Sequence, residues 1–149
     1  MQITLAHVAP RGGAGDAYES LVRNYAERCA AYARFGTEGF RTQEALFTWL
    51  DRQRGRTEPV TVFLDSRGRM LTSEAFSQWL GSRRDEGAQQ VVFVIGPADG
   101  WSEAARARAT MLLSLGPMTL AHSLARLVMA EQIYRALTIL AGHPYHTGH

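Results

Sequence analysis

The sequence predicts one α/β domain, 1–149, with a mostly parallel sheet flanked by helices. Two short, valine-rich apolar runs carry this prediction: VTVFLD at 60–65 and QVVFVIG at 90–96. Strands buried on both faces of a parallel sheet are apolar throughout, whereas half-exposed strands alternate. A helical stretch over 72–86 separates the two runs. This order of strand, helix and strand is typical of a sheet with crossover helices.

The amino-terminal part adds a strand, a helix and two further elements. Residues 2–8 predict a short strand, and the loop after it ends at Asp16, whose side chain suits the N-cap of a helix. We predict this helix over 17–34, ended by Gly36. The two further elements are a strand within 37–42 and an amphipathic helix over 42–53.

The longest predicted helix spans about 123–141 and is apolar on two faces. Its two stripes are Leu124, Leu127, Tyr134 and Leu137, and Met129, Ile133, Ala136 and Leu140. A helix of this kind is usually buried twice, which indicates either central packing or a core on one side and a dimer partner on the other. A shorter helix begins at Ser102. Gly142 occupies a C′ position and Pro144 prevents continuation, so the HPYH tail leaves the long helix.

Composition limits the class of protein. Apolar residues make up 46% of the chain and charged residues 20%, which is ordinary for a soluble globular protein. No apolar run approaches the ~18 residues of a membrane helix, and MQITLAHVAP lacks the features of a signal peptide. The single Cys29 fits a reducing compartment. We therefore expect a cytoplasmic protein that does not enter a membrane.

The cationic residues are unusual in kind. All sixteen are arginine, and the formal net charge is +2. The planar guanidinium suits phosphate groups and stacked bases, although codon bias in a GC-rich genome explains the composition equally well. Clusters occur at Arg52, Arg54 and Arg56, at Arg67 and Arg69, and at Arg83 and Arg84. They indicate either solvated surface or an RNA partner.

Common nucleotide and hydrolase motifs are absent. The sequence lacks GxGxxG, GxxxxGK[ST] and GxSxG, and RGGAG at 11–15 has no phosphate-binding lysine. His143, His146 and His149 share a three-residue spacing that could seed a metal site. However, Pro144 breaks the helix that would align them, and no acidic or cysteine partner accompanies them. We expect no metal.

Several segments resemble the RlmH group of SPOUT methyltransferases. These segments are VTVFLDSRG (60–68), VVFVIGPADGWS (91–102), LSLGPMTLAH (113–122), RLVMAEQIYRA (126–136) and HPYH (143–146). The resemblance implies a trefoil-knotted α/β fold with its knot over about 90–149. It also implies a homodimer that uses S-adenosylmethionine to methylate N3 of a pseudouridine in the 23S rRNA of assembled ribosomes.

The resemblance also implies a site, position by position. The implied cofactor contacts are Leu64, Gly96, Leu115, Gly116, Pro117, Met118, Thr119 and Leu120. Tyr145 and His146 of the tail are implied to act in catalysis with Arg135, with His146 as the candidate proton acceptor because imidazole titrates near neutrality. Arg126 and His122 are implied substrate contacts. For the arginines, a helix ion pair such as Glu131 with Arg135 is an equally good interpretation.

The chain departs from the family pattern in two loops. Gly96 is followed by Pro97 where the family has a second glycine, and proline removes a backbone N–H. Gly116 replaces a serine, and Ala121 replaces a proline before His122. These differences leave two alternatives open: a SPOUT enzyme that acts on another RNA such as tRNA, or a non-catalytic ribosome- or nucleotide-binding relative.

Overall fold

A computed structural model describes residues 1–10, 17–53 and 55–147. Within them, five parallel strands form one sheet in the order β2-β1-β4-β3-β5. The strands are β1 Gln2–Val8, β2 Arg34–Phe40, β3 Val60–Met70, β4 Gln90–Ile95 and β5 Met111–Ser114. The helices are α1 Ala17–Cys29, α2 Gln43–Arg52, α3 Ser73–Asp85, α4 Glu103–Arg108 and α5 His122–Leu140, followed by a 3-10 turn at Pro144–His146. The predicted mostly parallel sheet flanked by helices is confirmed.

The core lies on both faces of the sheet. Along β4, Val91 and Phe93 face a layer made by α1, α3 and α5, whereas Val92 and Val94 face α2 and α4. All four side chains are fully buried. This explains why the run at 90–96 is apolar without alternation, because both of its faces are covered by helices.

Helix α5 packs centrally, as one of the two interpretations of its sequence predicts. Met129 and Ile133 of one stripe are fully buried, and Tyr134 and Leu137 of the other are nearly so. Helices α1 and α3 both pack against it. No helix of the described residues is long and apolar enough to cross a membrane.

The predicted boundary between the first helix and the second strand is wrong. Helix α1 ends at Cys29. The backbone amides of Tyr32 and Ala33 both donate hydrogen bonds to the Cys29 carbonyl, at 2.9 and 3.1 Å. Strand β2 then begins at Arg34, so Gly36 lies inside a strand. Since β2 is an edge strand whose side chains are exposed or only half-buried, its apolar residues are limited to Phe35 and Phe40 and form no continuous run. The short strand β5 was not predicted either.

Three helices begin with a capping side chain. The hydroxyls of Thr42, Thr72 and Ser102 accept hydrogen bonds from backbone amides three residues later, at 3.0 to 3.1 Å. At the other end of the chain, Gly142 adopts a φ of +73° after α5, as a C′ glycine does. The predicted Asp16 cap and the RGGAG loop lie outside the described residues.

Strand β3 passes unusually close to β5 at Gly68. Leu113 pairs with both Leu64 and Arg69, so the residues between them form an irregularity in β3. A Cβ added at Gly68 would lie 2.6 Å from the backbone of Leu112 and Leu113. Backbone atoms in a sheet have little room to shift, so this position excludes side chains.

We expect Gly68→Ala to lower the free energy of unfolding by about 1–3 kcal/mol, the usual cost of overpacking. Urea unfolding at neutral pH measures it. Gly36→Ala is the matched control, because a Cβ there meets nothing within 4 Å, and it should change stability by less than about 0.5 kcal/mol. Equal stabilities of the two variants would show that β3 can move away from β5.

Candidate active site

A cleft of about 460 Å³ opens at the carboxyl ends of β4 and β5, beside the irregular middle part of β3. Ligands of open parallel sheets bind at this edge, because the loops that follow the strands meet there. Its walls are the irregular part of β3 at residues 64–66, the loop after β4 and the loop after β5. The predicted site residues that line the cleft are Leu64, Gly96, Leu115, Gly116, Met118, Thr119, Leu120 and His122. Pro117 is not among the lining residues, although both of its neighbours are.

The floor of the cleft is built around Trp101. Its indole Nε1 donates a hydrogen bond of 2.9 Å to the Leu64 carbonyl, and its ring stacks on Phe63 with centroids 4.4 Å apart. A Cβ at Gly96 would lie 2.6 Å from this indole. Gly96 therefore lacks a side chain because Trp101 occupies that space. The family resemblance did not identify Trp101 as a site residue, although Trp101 belongs to VVFVIGPADGWS, one of the segments on which the resemblance rests.

The two departures from the family pattern have local explanations. Pro97 uses its carbonyl, which accepts a 2.9 Å hydrogen bond from Gly100, so the turn does not need its missing N–H. Gly100 has a φ of +86° and Gly116 a φ of +134°, values that favour glycine. Beside Gly116, the Ser114 hydroxyl donates to its carbonyl at 3.0 Å and accepts from its amide at 3.2 Å.

A carboxylate that the sequence reasoning missed also lines the cleft. Only 4% of the Asp65 side chain is exposed, and it accepts a 2.7 Å hydrogen bond from Arg106 Nε and one of 2.8 Å from the Arg67 amide. Burial opposes ionisation of Asp65, but the Arg106 hydrogen bond and the nearby positive charges outweigh it and lower its pKa. The cleft therefore carries the Asp65–Arg106 ion pair beside its apolar wall.

The tail side chains form a second cluster, away from the lining of the cleft. Arg135 binds Glu131 through Nε at 2.9 Å, so the predicted helix ion pair is present. The Tyr145 hydroxyl donates to the same Glu131 oxygen at 3.1 Å. His146 Nδ1 lies 2.9 Å from Arg135, and its Nε2 lies 2.8 Å from Glu74. Since a guanidinium only donates, Nδ1 is the acceptor and Nε2–H donates to Glu74.

Aromatic packing fixes Tyr145 in this cluster. Its ring meets Tyr134 edge-on with centroids 4.8 Å apart. The Arg28 guanidinium lies 4.2 Å from the Tyr134 ring centroid and 5.3 Å from that of Tyr145, within the range of cation–π attraction. Burial, with a hydrogen bond to Tyr25, raises the pKa of Tyr145 to about 12. The phenol is therefore neutral at physiological pH.

A buried polar cluster lies at the carboxyl end of β1. The rings of His7 and His122 are 5.9 Å apart. Arg126, one turn after His122 on α5, is 7% exposed and forms an ion pair with Glu19 of α1. Burial and the Arg126 charge lower the pKa of His7 to about 4, and burial lowers that of His122 as well. The predicted substrate residues thus fall into two positions, with His122 on the cleft and Arg126 behind it.

Metal binding has no geometric support among the described residues. Within 1–10, 17–53 and 55–147, no three histidine, cysteine, aspartate or glutamate side chains are grouped as a metal ion would require. His143 instead accepts a 3.2 Å hydrogen bond from the Tyr145 amide, and His149 lies outside the described residues. The described tail histidines are engaged in local structure.

Comparison with known proteins gives consistent matches. Residues 1–146 match a family model described as predicted SPOUT methyltransferase. Ribosomal RNA large subunit methyltransferase H of Koribacter versatilis is 47% identical over 135 residues, covering 89% of this chain and 90% of the relative. The protein of the same name from Rhodospirillum centenum is 58% identical over 87 residues, covering 58% of this chain and 57% of the relative.

Solved structures share the fold at low sequence identity. The SpoU methyltransferase AviRb from Streptomyces viridochromogenes, solved in complex with AdoMet, has a TM-score of 0.52 at 12% identity, covering 95% of this chain and 61% of that one. A probable methylase family protein from Haemophilus influenzae has a TM-score of 0.53 at 7% identity, covering 99% and 70%. These similarities concern the fold alone.

The half-buried imidazole of His7 should make stability depend on pH. Its pKa is about 4 in the folded protein against an ordinary 6.5, so between these values protons bind the unfolded chain more strongly. The free energy of unfolding should therefore fall as pH decreases through this window. Urea unfolding at several pH values should show that the free energy of unfolding of His7→Gln depends less steeply on pH than that of the wild type. His143→Gln, which changes an exposed imidazole, should keep the wild-type slope, and an unchanged slope in His7→Gln would contradict the prediction.

Proposed function

Because the chain belongs to the SPOUT methyltransferase family, we propose that it methylates N3 of a pseudouridine in 23S rRNA, on assembled ribosomes, with S-adenosylmethionine as methyl donor. The relatives named ribosomal RNA large subunit methyltransferase H support an rRNA substrate. The observation that carries the proposal is the cleft, because residues from three separate segments, each implied by sequence to bind the cofactor, meet in one cavity.

The cleft fits S-adenosylmethionine in size and chemistry. Its volume of about 460 Å³ lies in the range of small-molecule sites. Leu64, Leu115 and Leu120 provide apolar surface for the adenosine, and the glycine at 116 lets the backbone come close to a ligand. Asp65 and its ion-pair partner Arg106 add polar groups to this apolar lining. Met118, 84% exposed, stands at the mouth, where it can close over a bound cofactor.

When bound, S-adenosylmethionine supplies an electrophilic methyl group on a sulfonium. The chain's own contribution is then to orient the target base and to accept the N3 proton, since much of such a transfer depends on positioning. We assign recognition of the target base to His122 at the cleft and to Tyr145. We assign orientation of that base to Arg126 and Arg135. His146 is the proposed proton acceptor, and Arg135 must release its Nδ1 before that nitrogen can take a proton.

The position of the tail supports a composite site in a homodimer. Tyr145 and His146 do not line the cleft of their own protomer among the described residues. We therefore propose that a second copy brings its tail to this cleft, and that residues from about 90 to 149 form the trefoil knot of a single domain. A cytoplasmic enzyme with a net charge of only +2 would depend on the ribosome to present the base.

The direct test is transfer of labelled methyl groups to ribosomes from cells that lack the resident enzyme, followed by nucleoside analysis. Labelled N3-methylpseudouridine in the large-subunit RNA is the expected result. Label in tRNA alone would contradict the proposed rRNA substrate. Failure to bind S-adenosylmethionine at millimolar concentration would contradict the proposed methyltransferase activity.

His146→Ala should reduce turnover by about 10²-fold or more, the contribution of a general base, and should leave cofactor affinity within about twofold because the proposed role of His146 is to accept the N3 proton and not to bind the cofactor. Calorimetry and single-turnover kinetics separate these effects. His143→Ala is the control for changes in tail structure. A loss of affinity with normal turnover at saturation would contradict the assigned role.

Mixed dimers test the composite site. Protomers carrying His146→Ala should complement protomers carrying Gly116→Val. A valine at 116 disrupts the cleft because a β-branched residue does not adopt the backbone φ of +134° found there. One intact site then forms in each mixed dimer and activity returns. A monomer by light scattering, or no recovery in verified mixed dimers, would exclude a shared site.

A further inference from the structure

Three unpartnered nitrogen atoms lie in the polar cluster at the carboxyl end of β1. In the described part of the chain, His7 Nδ1, His122 Nε2 and Arg126 Nε are buried without a hydrogen-bond partner. Buried polar atoms nearly always have partners, and three in one cluster are unusual. Arg126 is 7% exposed overall, so bulk water does not reach its Nε.

The other ring nitrogens define what each unpartnered atom can do. Contact with the Glu38 backbone acts to raise the pKa of His7, and contact with the Val8 backbone acts to raise that of His122, against the stronger effect of burial; this is the direction expected when a ring N–H donates to a carbonyl. In these tautomers His7 Nδ1 and His122 Nε2 each carry a lone pair and are acceptors. The Arg126 Nε–H is a donor. The cluster therefore offers two acceptors and one donor.

One water molecule matches this set, since it can donate twice and accept once. We propose that His7, His122 and Arg126 hold a single buried water molecule, and that His7 is a positioning residue that acts through this water on His122 at the edge of the cleft. The positioning role rests on the proposed methyltransferase function, whereas the water site does not.

The charges around the site favour a neutral ligand. Glu19 pairs with the Arg126 guanidinium, so an anion gains little attraction there. The same guanidinium repels a cation. Burial and the Arg126 charge lower the pKa of both imidazoles, so both are neutral near pH 7. Buried waters typically make about three hydrogen bonds to polar groups of this kind.

The register of the sheet connects this site to the cleft. His7 pairs with Ile95 of β4, and Ile95 pairs with Leu64 of β3, so His7 is one strand away from the cleft wall. His122 is the first residue of α5 and directly follows the loop that lines the cleft. A water shared by His7, His122 and Arg126 therefore ties the start of α5 to β1 and fixes where this loop ends.

The packing of His7 makes it a specific partner. A Cβ at Gly39 on the neighbouring strand would lie 2.9 Å from the His7 ring, so the imidazole packs against β2 at Gly39 and cannot move further in that direction. Replacement by phenylalanine keeps an aromatic ring of similar size but removes the acceptor. Replacement by glutamine keeps both an acceptor and a donor.

Two measurements test the water site without requiring activity. A crystal structure of the unliganded protein at high resolution should show one ordered water within hydrogen-bonding distance of His7 Nδ1, His122 Nε2 and Arg126 Nε. Nitrogen NMR should show His122 protonated at Nδ1 and His7 at Nε2 near neutral pH. A site filled by a protein side chain, or either imidazole in the opposite tautomer, would overturn the proposal.

The positioning role is tested by calorimetry with S-adenosylmethionine. His7→Phe should weaken binding by roughly two- to tenfold, the effect of one hydrogen bond, and should shift the His122 ring-nitrogen signals. His7→Gln should restore both. Thr4→Val is the matched control, because Thr4 is also buried on β1 and accepts a hydrogen bond from Gln90. This variant should change stability but neither S-adenosylmethionine binding nor the His122 ring-nitrogen signals.

The outcomes separate the two proposals. If the wild-type protein does not bind S-adenosylmethionine but shows the water and both tautomers, the methyltransferase function fails and the water site stands. If the wild type binds the cofactor and His7→Phe binds it equally well with unchanged His122 signals, the positioning role of His7 fails while the function stands.

Discussion

Parallel pairing between β4 and its neighbours is the constraint on which the rest of the structure depends. Ile95 pairs with His7 on one side and with Leu64 on the other, and Leu64 pairs with Leu113. Strands β1, β4 and β5 therefore end within one residue of this level, β3 passes it at Leu64, and the loops that follow β4 and β5 meet in the cleft. The same register places His7 beside the cleft wall, so the positions of the polar cluster and of the cleft both depend on the pairing of β4.

The buried strands could be predicted from sequence because burial leaves a clear signal. Val91 to Val94 are apolar since helices cover both faces of β4, and no other local structure explains such a short run as well. The edge strand β2 gave no such signal, because its side chains are exposed or only half-buried and Gly36 resembles a helix terminator. Strand β5 has four residues, too few for a pattern to emerge.

The site was predictable only in part, and for a similar reason. Residues implied by family resemblance, such as Leu64, Gly96 and Gly116, come together because the loops follow strand ends. Trp101 and Asp65 were missed since their roles depend on contacts across the sheet: an indole bound to the Leu64 carbonyl and a carboxylate bound to Arg106. The location of the tail cluster on α3 and α5 likewise depends on tertiary packing, which spacing in sequence cannot reveal.

The contacts of Trp101 have an optical consequence. Its indole stacks on Phe63, donates to the Leu64 carbonyl and lies against Gly96 at the cleft floor. The other two tryptophans, Trp49 and Trp79, belong to helices α2 and α3 and do not line the cleft. The fluorescence of one indole therefore senses the cleft while the other two provide a constant background, and the chain carries an intrinsic reporter of ligand occupancy.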